Sequence, residues 1–139
     1  NHIKVVEEFG YEMYLHCGAI RKVLLAYQSP SFIEEYVNKI IEHDHAFPRV
    51  DAGDLRDELK KIRQSGYAIT YGEYVNDAVG IGAPVFNSEG ELAGSIGIIA
   101  PTIRLNSEEL LKVQLEYVQK FAADLSRDIG YSPLFSSRA

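Results

Sequence analysis

Apolar residues recur at helical spacing in some stretches of the chain and alternate or run together in others, and this contrast divides it into elements. Ile20, Val23, Leu24 and Leu25 predict a short helix over residues 19–27. A second helix begins at Ser29-Pro30, a hydroxyl cap followed by the residue that needs no amide donor in a first turn. Its Ile33, Tyr36, Val37, Ile40 and Ile41 share one helical face. Pro48 separates it from a third helix, for which Asp51 is the cap, Leu55, Leu59 and Ile62 the buried stripe and Gly66 the stop. Asp54 lies in its first turn, where the helix dipole favours negative charge. Asp57, Glu58, Lys60, Lys61 and Arg63 read as a solvent-facing side, with Lys61 paired to Asp57 or Glu58.

Strand patterns flank these helices. Residues 3–8 and 11–15 read as a strand pair turned at Phe9-Gly10. Residues 67–71, 79–87 and 91–100 read as three further strands, the last two joined by a hairpin at Ser88-Glu89-Gly90. A long terminal helix follows, with Asn106 as cap and Glu109 completing a capping box. Leu111, Leu115, Val118, Ala122, Leu125 and Ile129 form its stripe, Gly130 ends it, and residues 131–139 read as a loose tail. Strand pair, helices, antiparallel strands and long helix together give an α+β fold with helices covering an antiparallel sheet.

Composition narrows the class. With 139 residues, 46% hydrophobic and 24% charged, the sequence fits one globular domain over residues 1–139. No apolar run approaches the roughly 18–20 residues that span a bilayer, so no membrane partner is expected. No secretory leader pattern is visible, and a chain beginning with Asn1 is expected to be cut from a longer protein. Cys17 is the only cysteine, which excludes an intramolecular disulfide and favours a reducing, cytoplasmic setting. A net charge of -6 makes the chain a poor reader of nucleic acid on its own.

Catalytic motifs are missing: there is no phosphate-cradling loop, nucleophile elbow or strong zinc spacing, and the chain reads as a non-enzyme without cofactor or metal. His43 and His45 flank Asp44 at a helix end, where histidine suits the dipole better than it makes a metal site. His16 and Cys17 are neighbours whose side chains diverge on a strand. Tyr11, Tyr14, Tyr67, Tyr71 and Tyr74 cluster on or near strands, which suits half-buried sheet packing. Gly80 and Gly82 in one strand and Gly94 and Gly97 in its partner have two readings: bulges and close helix packing, or a cavity left open by absent side chains.

Three segments carry a resemblance. LHCGAIRKVLLA (residues 15–26), LRDELKKIRQSGYAI (55–69) and IGAPVFNSEGELAGSIGIIAPTIRL (81–105) resemble, in order and spacing, segments of the isocitrate lyase regulator (IclR) family of transcription regulators. The likeness implies a GAF-like effector-binding domain that assembles as homodimers or homotetramers. It also implies an N-terminal winged helix-turn-helix, absent from this chain, that binds DNA. By the resemblance, the effector pocket is lined by Ala19, Ile20, Thr70, Ala78, Gly80, Gly97 and Ile99. Family members that sense small keto acids carry an acidic residue, a cysteine and two serines at the positions of Thr70, Gly80, Gly97 and Ile99. Their loss here implies a larger, apolar or aromatic effector, because a small carboxylate buried without donors is costly to desolvate. Arg21 stands where the family usually has glycine.

Three alternatives remain open at this level. One is a GAF- or PAS-like sensor from another signalling protein. Another is a small enzyme using Cys17 or the histidines. The last is a ligand-free oligomerisation domain, whose interface would be Leu110, Val113, Tyr117 and Phe121 on the terminal helix unless these residues widen its buried stripe.

Overall fold

Glycine and proline punctuation sets the helices in the computed structural model, which describes residues 14–46, 48–73 and 75–133. Helix α1 runs over Ala19–Ala26 and α2 over Pro30–Tyr36, where the Ser29 hydroxyl accepts the Phe32 amide. The chain continues from α2 as a π-helical segment, Val37–His43. Apolar steps of four satisfy either winding, so the spacing that predicts this helix does not reveal its wider turn. Helix α3, Ala52–Ser65, has the Asp51 carboxylate on the Asp54 amide and ends at Gly66 in the left-handed conformation. Leu55, Leu59 and Ile62 are buried, as the stripe predicts.

Strands β1 (Ala68–Tyr71), β2 (Ala78–Phe86) and β3 (Leu92–Pro101) form an antiparallel sheet in the order β1-β2-β3. The predicted strand over residues 3–8 lies outside the described residues, as do most of the predicted strand over 11–15 and most of the tail; residues 14–17 form a turn rather than a strand, so His16 and Cys17 do not sit on one. A short turn, Thr102–Arg104, leads into α4, Glu108–Asp128.

Strand β2 has two different sides, because successive side chains alternate across a sheet. Ile81, Ala83 and Val85 pack with Val118 and Ala122 of α4. Gly80 and Gly82 turn the other way, toward Ala19 and Ile20 at the start of α1. The sheet therefore lies between α4 on one face and α1 on the other, with α3 packed beside α1. The second core is built from Val23, Leu25, Tyr36, Val37, Ile41, Leu55, Leu59 and Ile62.

Several expectations need correction. Ser107, not Asn106, caps α4: its backbone is extended and its hydroxyl accepts the Leu110 amide. Leu125 and Ile129 are exposed, and Ser126 takes the buried position instead. The polar partner that Ser126 meets is at the end of β2. The Phe86 amide donates to the Ser126 hydroxyl, which in turn donates to the Ala122 carbonyl. A buried amide must be paired, so a polar residue is required within the apolar stripe. Tyr14 and Tyr71 are exposed rather than packed. Glu58 pairs with Lys22 rather than Lys61. Leu110, Val113, Tyr117 and Phe121 are exposed and do not widen the buried stripe.

Candidate functional site

The start of α1 is held from below by a fully buried histidine. His16 Nε2 lies 2.8 Å from the Pro48 carbonyl, and Nδ1 lies 2.8 Å from the Tyr36 hydroxyl. A carbonyl only accepts, so Nε2 carries the proton and the neutral ring's Nδ1 accepts from Tyr36. The Tyr36 oxygen also accepts the His16 amide. Burial pushes the His16 pKa below its usual value, outweighing the Pro48 hydrogen bond. Cys17 is buried as well, and its thiol donates to the Glu73 carbonyl at 3.2 Å. Burial pushes that thiol's pKa up, which keeps it protonated and poorly nucleophilic.

The His16 arrangement gives stability a defined pH dependence. The unfolded chain takes up a proton at His16 near pH 6.5, whereas the folded chain does so only at lower pH. Stability from this group is present above about pH 6.5 and is lost as pH falls through the window below it. The loss approaches about 1.4 kcal/mol per pH unit within that window. Thermal melts at pH 7.5 and 5.5 should show the acid loss, and His16→Gln should flatten it. An unchanged acid loss in His16→Gln would exclude this origin.

Above His16, the chain turns at Gly18, which has φ 94°, and enters α1 without a side-chain cap. Strand β2 is glycine where α1 crosses it. A Cβ on Gly82 would lie 3.1 Å from Ala19 and Ile20 backbone atoms, so the helix start rests directly on the strand. Beside this contact is a cavity of about 20 Å³. Ala19, Ile20, Thr70, Ala78, Gly80 and Ile99 all line it, so the structure brings these sequence-selected residues together. Gly97 does not line it: the space of its absent side chain is taken by the Ile81 carbonyl and Ile20. Thr70 is buried, and its hydroxyl oxygen lies beside Gly80 at the cavity wall.

Gly18, Arg21, Glu73 and Val75 also line this cavity and were missed in the sequence reading. Glu73 is the most consequential. One carboxylate oxygen accepts the Gly18 amide at 3.2 Å, and the other accepts Lys22 Nζ at 2.7 Å. Lys22 is buried and donates its remaining protons to Glu58 at 2.8 and 3.0 Å. An ion triad thus joins the cavity wall to α1 and α3. No spacing rule could have found it, because Glu58 and Glu73 lie far from Lys22 in sequence.

A wider groove of about 690 Å³ lies between the end of α3, Phe86 and α4, away from all the sequence-selected residues. His43 is exposed and bonded to Asp44, and no cluster of metal-ligating side chains occurs among the described residues.

Residues 1–127 match the family model described as Bacterial transcriptional regulator IclR C-terminal. The chain belongs to the IclR family. This IclR C-terminal domain is 28% identical over 136 residues to the HTH-type transcriptional regulator KipR of Bacillus subtilis, covering 94% of this chain and 52% of that protein. Its fold matches the Thermotoga maritima IclR crystal structure with a TM-score of 0.79 at 24% identity, covering 94% of this chain and 53% of that one. The C-terminal domain of Escherichia coli KdgR matches with a TM-score of 0.70 at 26% identity, covering 84% and 71%. The chain spans about half the length of the curated relatives it matches. Those relatives are named as transcriptional regulators, in agreement with the non-enzymatic reading. No helix among the described residues is long and apolar enough to cross a membrane.

Proposed function

We propose that this IclR C-terminal domain is the effector-sensing half of a cytoplasmic regulator whose DNA-binding winged helix lies N-terminal to it. The observation that carries this reading is the cavity at the start of α1, lined by residues of α1 and all three strands, with the Thr70 hydroxyl beside Gly80. The effector rests on Ala19, Ile20, Val75, Ala78 and Ile99, and the Thr70 hydroxyl offers it a polar contact. Those walls favour an apolar or aromatic molecule over a small keto acid. Its binding shifts the population of domain arrangements and so alters operator affinity, by no more than its differential affinity for the two states.

The domain also assembles with itself as a homodimer or homotetramer. The exposed row Leu110, Val113, Tyr117 and Phe121 on α4 supports this, since a soluble helix seldom leaves such a row uncovered. Native mass spectrometry of the purified protein, followed by denaturation, tests both parts. The expected result is an even-numbered oligomer carrying a stoichiometric apolar or aromatic molecule. Gly80→Ala should reduce that occupancy about tenfold, because its Cβ would enter the cavity 3.1 Å from Thr70 Oγ1. A monomer without adduct, unresponsive to added aromatic acids, would overturn the reading.

A further inference from the structure

The cavity is too small for the effector proposed above. At about 20 Å³ it accommodates a single water, whereas organic ligands occupy pockets of roughly 300 Å³ or more. Something must hold it shut. Three of its walls belong to secondary structure: α1, β1 with β2, and β3. The fourth is the β1–β2 connection, which contributes Glu73 and Val75.

The ends of that connection bear conformations suited to hinging. Gly72 has φ 66° and Asp77 has φ 59°, both left-handed. The Gly72 amide donates to the Ala78 carbonyl at 2.8 Å, which pins the base while leaving the tip to be fixed by other contacts. Among the described residues, Glu73 supplies three such contacts to the start of α1. Glu73 accepts the Gly18 amide and Lys22 with its carboxylate, and accepts the Cys17 thiol with its carbonyl.

We propose that Glu73 is the latch of the effector cavity, closing the β1–β2 connection onto α1 until the effector displaces it. This assigns regulation to the proposed effector site and rests on that reading. The energetics permit a latch rather than a permanent weld. When Glu73 leaves, Lys22 keeps both oxygens of Glu58, so no bare buried charge results. The released carboxylate is already partly exposed and rehydrates. Release moves Lys22 toward Glu58 on α3, which gives the cavity a mechanical link to a second helix. It also opens room beside Thr70 and Ile99 on the same wall.

Cys17 reports the latch without any effector. It is the only cysteine, it is 3% exposed, and its thiol is covered by Glu73. The rate of its reaction with dithiobis-nitrobenzoate under native conditions measures opening. Glu73→Gln loses the charge-assisted bonds and should react about tenfold faster than wild type. Glu58→Gln, which leaves Lys22 without a carboxylate when Glu73 departs, should react more slowly than wild type. In wild type, the rate should change little with low urea, as local opening does. Equal rates for wild type and Glu73→Gln would overturn the latch. So would a wild-type rate that follows global unfolding across the urea series. Neither measurement depends on a bound effector, so a failed latch and an absent effector give separate signatures.

Discussion

Gly97→Ala is expected to destabilise the protein by about 4 kcal/mol or more, enough to prevent folding of many domains. The reason is a collision with backbone rather than with an adaptable side chain. A Cβ at this position would lie 2.1 Å from the Ile81 carbonyl oxygen, 2.9 Å from Ile20 Cγ1 and 3.1 Å from Gly82 Cα. Ile20 can change rotamer, but the carbonyl belongs to β2, which pairs with β3 throughout this stretch. Relief requires the two central strands to separate, and α1 rests on both. Gly94→Ala provides the control on the same strand. No atom lies within 4 Å of its added Cβ, so the change should stay within about 0.5 kcal/mol. Urea unfolding of both variants checks the contrast. A Gly97→Ala protein within about 1 kcal/mol of wild type would show that the sheet yields more than a close-packed interior should.

That contrast also explains how the glycines could be read in the sequence. Four glycines on paired strands signal that something approaches closely, but not what. Gly82 and Gly97 admit α1 and a neighbouring strand, Gly80 borders the cavity, and Gly94 faces open space. The elements themselves were legible, because caps and stops are local: Ser29, Asp51 and Gly66 act where the sequence places them. The α4 cap shifted by one residue because Asn106 and Ser107 can both cap, and only backbone conformation selects between them. Ser126 was illegible as a core residue because its partner, the Phe86 amide, lies forty residues away in sequence, at the end of β2. The candidate site divides the same way. Residues contributed by α1 and the strands followed from the family resemblance. Glu73 and its triad depend on where a connection folds back, which periodicity does not encode.

The triad carries the second large effect. Lys22→Met should lower stability by about 3 kcal/mol, and Lys22→Ala by more, since a void is added to the lost charge. Lys22 is 1% exposed, and its three ammonium protons all meet carboxylate oxygens at 2.7 to 3.0 Å. Removing it leaves Glu58 and Glu73 facing each other without a counter-ion. Their side chains are 38% and 26% exposed, so water recovers part of the loss. That keeps the estimate at the lower end of the roughly 3–5 kcal/mol typical of a broken buried pair. Glu58→Gln should cost about 1 kcal/mol, because Glu73 still compensates the cation. Adding Glu58→Gln and Glu73→Gln to Lys22→Met should restore much of the lost stability, since an uncharged trio no longer opposes burial. Denaturant unfolding of these variants separates the two sources of cost. If the triple variant is as unstable as Lys22→Met alone, the loss arises from packing of the lysine stem and not from stranded charge. If Lys22→Met itself is nearly neutral, the carboxylates find other partners and the triad does not fasten α1 to α3.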